Sequence, residues 1–309
     1  MPVRAALLVL SRSRFLREAL TRRRLFPAAV SRFIAGPEIA DALAAVHRLA
    51  ARGLKATLNH LGEHVESPRA ATAEVEAQRR ALERLRSAGL ASHLSVKLTQ
   101  LGLDVDADPC ARHLRLILEE AATLPTFVRI DMEGSAYTER TLALYRQLRP
   151  GFPNVGVVLQ AYLYRTPADL ETLLPLGVNV RLCKGAYREP PGIAYPRKRE
   201  VDAGFLRLAA RLLSPDSLDR GTFAAFATHD PRMVAGVQRL AAERGVPRDR
   251  FEFQMLYGIG RDLQAALVAA GYAVRIYIPY GDAWFPYFMR RLAERPANLL
   301  FLLRSLLRG

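Results

Sequence analysis

The chain has little cysteine and no long apolar run, and each shortage excludes a class of protein. Its two cysteines, Cys110 and Cys183, are far apart and form no CxxC motif, so neither a disulfide scaffold nor a zinc site is expected. No segment approaches the roughly 18 apolar residues that a membrane span needs. The short AALLVL run near the N-terminus has no convincing cleavage site. We therefore expect a cytoplasmic protein without a secretory signal.

Acidic residues and lysines are also scarce relative to arginine. The chain has 30 acidic and 45 basic residues, a formal net charge of +15, and its only lysines are Lys55, Lys97, Lys184 and Lys198. The arginines are spread along helical segments such as LERLRSAG, which favours solvated helix faces over a nucleic-acid site. The basic segment 4–25 is typical of a helical arm packed on the domain, with a helix at a membrane surface as the alternative.

Eight strand-like runs alternate with helical segments from residue 54 onward. They cover residues 55–61, 94–99, 127–132, 155–162, 178–185, 223–230, 251–258 and 274–279. This alternation predicts an α/β fold, a (β/α)8 barrel over residues 53–309, preceded by a helical arm over residues 1–52. A doubly wound open sheet is the alternative, but no GxGxxG motif opens any of the helices.

Every predicted strand ends in polar residues. They are Asn59, Glu63, Lys97, Asp131, Glu133, Gln160, Arg181, Lys184, Thr228, His229, Gln254 and Tyr277. Because the carboxyl ends of barrel strands meet at one face, these residues together predict a site there. Singly, Lys97 can simply pair with Asp131, and Gln160 and Gln254 can cap buried backbone groups. His229 can begin a helix, and without a second histidine or cysteine nearby no metal site is expected.

Two stretches point to ligand chemistry. The turn 184–186 can offer backbone N–H groups to a phosphate, although its glycine also suits any tight turn. The stretch 274–298 opens as a strand that Pro279 is expected to stop. The helix after it carries four polar residues in one general direction: Tyr287, Arg290, Arg291 and Glu294. Two adjacent guanidiniums suit a small carboxylate, while an amphipathic surface helix with incidental arginines is the alternative.

Six motifs in order resemble those of the proline dehydrogenase family. They are VVLQAY (157–162), RLCKGAY (181–187), ATHD (227–230), FEFQMLYGIG (251–260), RIYIPYG (275–281) and YFMRRLAE (287–294). The segment RFIAG (32–36) also resembles one that precedes the barrel in that family. The resemblance implies a distorted TIM-type barrel with a C-terminal helix over the active site. It further implies oxidation of L-proline to Δ1-pyrroline-5-carboxylate, with hydride transfer to non-covalently bound FAD.

The resemblance also implies residue roles. It places a catalytic pair at the boundary between substrate and cofactor: Asp131 and Arg181. It implies that the carboxylate and ring of proline are bound by Lys97, Tyr277, Tyr287, Arg290 and Arg291. It implies that FAD is bound by Met132, Gln160, Arg181, Lys184, Gly185, Ala186, Thr228, His229, Gln254 and Glu294. It makes Glu63 part of a gate.

The resemblance extends to partners. It implies a membrane quinone as electron acceptor, a peripheral contact with the inner face of the plasma membrane, and pyrroline-5-carboxylate dehydrogenase downstream. Nucleic acid is not an expected partner. Two other functions fit the residues by themselves. One is a Schiff-base barrel lyase that uses Lys97 or Lys184 as nucleophile. The other is a basic nucleic-acid-binding or membrane-binding protein without catalysis.

Overall fold

The computed structural model describes residues 30–62 and 65–285, together with Tyr287 and Phe288. Within these residues, eight parallel strands close into a barrel in the order of the chain, β1 to β8. The strands are β1 (Lys55–His60), β2 (His93–Val96), β3 (Val128–Ile130), β4 (Val155–Gln160), β5 (Asn179–Cys183), β6 (Phe223–Ala227), β7 (Phe251–Leu256) and β8 (Val274–Tyr280). The predicted (β/α)8 barrel is confirmed, and the open sheet is excluded.

Nine α-helices lie in the described part of the chain. They are α1 (Ile39–Ala50), α2 (Pro68–Ser87), α3 (Ala107–Ala122), α4 (Ser135–Leu148), α5 (Thr166–Leu173), α6 (Lys198–Leu212), α7 (Pro215–Asp219), α8 (Pro231–Glu243) and α9 (Arg261–Ala269). Two 3-10 turns, Leu174–Leu176 and Arg248–Arg250, complete the connections. None of these helices is long and apolar enough to cross a membrane.

Helix α1 covers the outside of the barrel between its first and last strands. It packs against both β1 and β8, and its buried residues Ala42, Ala45, Val46 and Leu49 belong to the main core. The helix before β1 therefore occupies the place that a helix after β8 would take. The predicted boundary between an arm and a barrel at residue 52 stays a prediction, and segment 4–25 lies outside the described residues.

The segment before α1 is held against the carboxyl ends of β7 and β8. The backbone N–H of Ala35 donates to the Pro279 carbonyl at 2.9 Å, and Phe33 and Ile34 pack in a second apolar cluster with Trp284 and Phe288. Gly258, with φ +75°, is required here, because a Cβ atom would lie 1.7 Å from the Arg32 carbonyl oxygen and a left-handed backbone favours glycine. This close approach gives a structural role to residues of two sequence motifs, RFIAG (32–36) and FEFQMLYGIG (251–260).

The prediction that Pro279 stops β8 is wrong. The strand continues to Tyr280, with Pro279 opposite Asn59 of β1. On its other side, β8 pairs with β7 only as far as Tyr277. Pro279 is tolerated because the pairing of β8 with β7 has already ended before this residue. Its missing N–H is therefore not needed for a hydrogen bond to β7.

The strands send apolar side chains outward and polar ones inward. In β8, Val274, Ile276 and Ile278 join the core beneath the helices. Tyr277 instead hydrogen-bonds across the barrel to Asp131, which follows β3. Side chains from strands that are not neighbours can meet only inside the barrel. The period of two in each strand therefore places a set of polar side chains in the barrel interior.

Candidate active site

Asp131, directly after β3, is the centre of the polar group at the carboxyl end of the barrel. Its Oδ1 atom accepts hydrogen bonds from Ser95 Oγ at 2.8 Å and from Arg181 Nη1 at 2.7 Å. Its Oδ2 atom accepts from Lys97 Nζ at 3.1 Å and from Tyr277 Oη at 2.6 Å. Three strands, β2, β5 and β8, thus supply four donors to one carboxylate, and both of its oxygens are fully engaged.

The charges around Asp131 keep it ionised. Burial alone would raise the pKa of this carboxyl, but the positive charges of Lys97 and Arg181 outweigh burial, with help from the Tyr277 and Ser95 hydroxyls, and hold the pKa at about 2. Burial and the Asp131 carboxylate raise the pKa of Tyr277 well above its usual range. At neutral pH, Asp131 is therefore an acceptor and Tyr277 a neutral donor.

Lys97 follows β2 and presents its ammonium at the mouth of the barrel. Besides Asp131, the Nζ atom approaches Asn59 Oδ1 at 3.3 Å and Tyr277 Oη at 3.5 Å. Burial would lower the pKa of Lys97, but the Asp131 carboxylate beside it raises the value overall. The side chain remains 26% exposed. Lys97 is thus a charged ammonium at the mouth, with room for an anionic ligand to approach.

Arg181 of β5 is held at both ends of its guanidinium. Its Nε donates to Gln254 Oε1 of β7 at 2.5 Å, and its Nη1 reaches Asp131 and, at 3.2 Å, Ser95 Oγ. Its Cζ lies 5.3 Å from the centre of the Tyr277 ring. Arg181 is only 7% exposed. The interaction with Asp131 therefore acts in a largely water-free environment, where electrostatic interactions are stronger than in bulk water.

Gln160, at the end of β4, has both ends of its amide engaged. Its Nε2 donates to the Glu133 carbonyl at 3.0 Å, and its Oε1 accepts from the Ala186 N–H at 3.1 Å. Met132, two residues after β3, lies buried in the main core. The backbone-capping alternative for Gln160 is thus realised, and its predicted contact with the cofactor stays a prediction.

A second polar group, the β5–β6 ion cluster, lies beside the first. We define it as Lys184, Lys198, Arg232, Asp202 and Asp230. Lys184 Nζ donates to Asp202 at 2.5 Å and to Asp230 at 2.9 Å, and Lys198 bonds to the same two carboxylates. Asp230 also caps α8 through the Arg232 N–H at 3.1 Å. The hydrogen bond from Lys184 contributes most to lowering the pKa of Asp230.

The remaining residues of the ATHD and KGAY motifs line the same edge. Thr228 Oγ1 accepts from the Asp230 N–H at 3.1 Å, and His229 Nε2 accepts from the Leu256 N–H at 2.9 Å. At Gly185, φ is +132° and a Cβ atom would lie 2.4 Å from the Tyr162 ring. Glycine lets the chain turn closely over that ring, and the turn brings the N–H of Ala186 to Gln160.

Comparisons with known proteins show the family to which the chain belongs. The family model described as proline dehydrogenase matches residues 42–304. The chain belongs to the proline dehydrogenase family. It is 44% identical over 278 residues to proline dehydrogenase 1 of Bacillus subtilis, covering 90% of each chain. It is 39% identical over 297 residues to proline dehydrogenase of Deinococcus radiodurans, covering 94% of each chain.

The family fold is also seen in a much longer enzyme. The crystal structure of proline utilization A from Bdellovibrio bacteriovorus, inactivated by N-propargylglycine, superimposes with a TM-score of 0.79 at 26% identity. The match covers 85% of this chain but only 32% of that one. The present chain therefore spans about a third of the length of that structural relative, in its proline dehydrogenase-like region.

Proline dehydrogenases use a flavin, and the donor set here fits FAD. The β5–β6 ion cluster contains three cations and two carboxylates, which leaves one net positive charge beside the N-terminus of α8. A diphosphate needs this combination of cations and backbone N–H groups. Lys184, Gly185, Ala186, Thr228 and His229 all lie along that edge, and their predicted roles in binding the cofactor stay predictions.

Four of the predicted residues lie outside the described part of the chain, and a fifth packs against the second apolar cluster. Glu63, Arg290, Arg291 and Glu294 lie outside the described residues, so their predicted roles stay predictions. Tyr287 is half-buried within the second apolar cluster. It is close enough to Tyr277 to contribute to the raised pKa of that phenol. The structure therefore brings Tyr287 to the same mouth as Lys97 and Asp131.

The structure adds to the group three buried residues for which no role was predicted, although two of them, Glu252 and Arg275, lie within the family motifs. Ser95 touches both Asp131 and Arg181. Glu252 of β7 and Arg275 of β8 form an ion pair at 2.7 Å, with side chains only 2% and 8% exposed. A local signal exists for each, because Ser95 precedes Lys97, Glu252 precedes Gln254 and Arg275 precedes Tyr277 by two residues. Residues two apart share a face of a strand.

Proposed function

We propose that this protein oxidises L-proline to Δ1-pyrroline-5-carboxylate in the first step of proline breakdown. Membership of the proline dehydrogenase family supports the reaction class. The observation that carries the proposal is the group of Lys97, Arg181 and Tyr277 around one ionised carboxylate, Asp131. Together they offer a charged ammonium, a phenol and a guanidinium at one barrel mouth. FAD, when bound, would accept the hydride, which carries both of the electrons that leave proline.

The protein's own residues bind and orient the substrate. Lys97 provides the charge for the carboxylate of proline, with Arg290 and Arg291 as its proposed partners. Tyr277 and Tyr287 wall the pyrrolidine ring and exclude water. Arg181 supplies a fixed positive charge that favours the electron-rich form of the cofactor. Asp131, which is ionised at neutral pH, holds these groups in place and does not act as a proton donor.

The same geometry argues against a Schiff-base lyase. A lysine nucleophile needs a neutral amine, usually through a lowered pKa. The neighbouring Asp131 carboxylate instead raises the pKa of Lys97. Lys184 is already held by two ion pairs, with Asp202 and Asp230. We therefore propose that both lysines bind anions.

The partners follow from the reaction. Reduced flavin must pass its electrons on, and we propose a membrane quinone as the acceptor, reached by peripheral contact with an anionic membrane surface. The net charge of +15 supports such contact, because basic residues are attracted to anionic lipids. The product is an imine in equilibrium with an aldehyde, so the enzyme that consumes it is an aldehyde-oxidising dehydrogenase.

The visible spectrum of the purified protein tests the proposed function directly. We expect a yellow protein whose flavin absorption is bleached by L-proline without oxygen. Glycine and D-proline, which lack the ring or its correct configuration, are the controls and should leave the spectrum unchanged. A protein that stays unreactive towards L-proline after reconstitution with FAD contradicts the proposal. Trapping of a substrate adduct by borohydride would instead support the lyase.

Substrate selection by Tyr277 gives a second test. A hydroxyl forced against the Tyr277 ring would lose its water without gaining a partner. Tyr277→Ser should therefore lower efficiency with proline and shift the ratio of hydroxyproline to proline turnover by about 1–3 kcal/mol, or roughly 10- to 200-fold. The measurement is kcat/KM for both substrates.

Matched substitutions at the neighbouring tyrosines control for this change. Tyr280 ends the same strand but packs against His60, with ring centres 5.3 Å apart, so Tyr280→Ser should leave the ratio unchanged. Tyr287→Ser distinguishes the second wall of the pocket. A ratio that moves with Tyr287→Ser but not with Tyr277→Ser would assign the ring contact to Tyr287.

A further inference from the structure

We propose that Glu252 is a positioning residue that acts through Gln254 on Arg181. None of the sequence motifs assigns Glu252 a role in the reaction. The structure links it to Asp131 through a chain of hydrogen bonds inside the barrel. The inference rests on the proposed function for its activity readout, but its geometric part can be tested without turnover.

The chain of contacts begins at the buried ion pair. Arg275 Nε and Nη2 donate to the two Glu252 oxygens at 2.7 and 3.1 Å, and Arg275 Nη1 donates to the Ala56 carbonyl at 2.9 Å. Glu252 Oε1 also accepts from Gln254 Nε2 at 2.6 Å. Gln254 Oε1 then accepts from Arg181 Nε at 2.5 Å. Each link thus fixes the orientation of the next group, as far as Arg181.

Burial makes the Glu252 acceptor necessary. Gln254 is 4% exposed and Glu252 is 2% exposed, so no bulk water can replace a lost partner. Without Glu252, the Nε2 donor of Gln254 would be buried and unsatisfied, at a cost of about 1–3 kcal/mol. Rotation of the side chain away from Arg181 would then become competitive. Glu252 removes that cost and keeps the Gln254 oxygen on Arg181.

Arg181 needs the hydrogen bond to Gln254 because its other hydrogen-bond partners also bind other groups. Its Nη1 bonds to both Asp131 and Ser95, and Asp131 also serves Lys97 and Tyr277. Contact at one end of a guanidinium leaves its plane free to turn, whereas contacts at Nε and Nη1 together fix it. The Glu252–Gln254 pair therefore sets the direction of the positive charge that Arg181 presents.

Because Glu252 forms a buried ion pair with Arg275, the two residues must be changed together. Removing Glu252 alone leaves a buried arginine without a counter-charge, which is strongly destabilising. Two double variants avoid this problem, because replacing both partners by groups of similar shape is far better tolerated. Glu252→Leu with Arg275→Met removes the ion pair and the acceptor for Gln254. Glu252→Gln with Arg275→Met removes the same ion pair but retains an oxygen for Gln254.

We expect kcat for L-proline to fall about tenfold or more in the Leu/Met variant. In the Gln/Met variant kcat should stay within about threefold of the wild type. KM should change little in both, because the substrate carboxylate is bound by Lys97 and not by Arg181. Crystal structures give the second readout: Arg181 should leave Gln254 in the Leu/Met variant and keep that contact in the Gln/Met variant.

Equal kcat values in the two double variants, with Arg181 unmoved in both structures, would overturn the proposal. If the Leu/Met variant does not fold, Gln254→Leu replaces it, since this change keeps the ion pair and should reproduce the fall in kcat. A wild-type rate in Gln254→Leu would equally overturn the proposal. If the wild type itself does not oxidise proline, the proposed function fails, and the positions of Arg181 in the crystal structures decide this inference.

Discussion

Replacing Asp131 by asparagine is expected to cost about 3–5 kcal/mol of unfolding free energy at pH 7, the scale for breaking a buried ion pair. Asparagine has the same shape, but its amide nitrogen must face one pair of donors. Either Lys97 or Arg181 would then meet an NH2 group and have no acceptor there. Proline oxidation should fall steeply as well. Denaturant unfolding and steady-state kinetics measure the two effects.

The difference between wild type and Asp131→Asn should depend on pH. The folded pKa of Asp131 is about 2, below its ordinary value of 3.8. A depressed carboxyl pKa contributes stability that is present above pH 3.8 and is lost as the pH falls towards 2. We therefore expect the difference in unfolding free energy between wild type and Asp131→Asn to be constant from about pH 5 to pH 7 and to narrow below pH 4. A gap that widens on acidification would contradict the assigned charge.

A carboxylate outside the site provides the matched control. Asp169 on α5 is 7% exposed and holds Arg165 by two hydrogen bonds, at 2.8 and 2.9 Å. Asp169→Asn should lower stability without changing kcat or KM for proline. If both variants lose activity in proportion to stability, the effect of Asp131 is structural only.

Replacing Lys97 by methionine should have the largest effect on catalytic efficiency. Methionine keeps the length of the stem but removes the charge that we assign to the proline carboxylate. Loss of one partner of such a charged contact costs about 2–5 kcal/mol, which corresponds to a fall in kcat/KM of roughly 30- to 4,000-fold. The fold should persist, because Arg181, Tyr277 and Ser95 still satisfy Asp131.

Lys55 offers the same substitution at the opposite end of the barrel. It begins β1 and lines a cavity of about 540 Å³ together with Phe223 and Arg248. That end of a (β/α)8 barrel serves stability, whereas catalysis takes place at the carboxyl ends of the strands. Lys55→Met should therefore leave proline oxidation unchanged. Equal losses in Lys97→Met and Lys55→Met would show a general effect of charge and would overturn the assignment of Lys97.

The position of each strand could be predicted from the sequence because strand periodicity is a local property. In β8, Val274, Ile276 and Ile278 alternate with Arg275 and Tyr277, and this alternation alone separates an apolar face from a polar one. The polar residues at the strand ends could be predicted by the same reasoning. The end of β8 was mispredicted at Pro279, because the ladder that proline would interrupt depends on how far β7 extends beside it.

The pairing inside the site could not be predicted from local patterns. Asp131 lies 34 residues from Lys97, 50 from Arg181 and 146 from Tyr277. The period of two says only that each side chain faces the interior. Which side chains meet there depends on the tilt and stagger of eight strands, a property of the closed barrel. The same stagger puts Gln254 between Arg181 and Glu252.

By itself, then, the sequence determined the eight strands, their inward polar faces and the family to which the chain belongs, because these depend on residue type and order. Only the tertiary structure decided that Asp131 accepts from four donors and that Glu252 pairs with Arg275 beneath them. Closure of the barrel removes these groups from water, and a buried charge persists only beside a partner. The barrel geometry, and not any local pattern, therefore determines which buried charged groups lie beside each other.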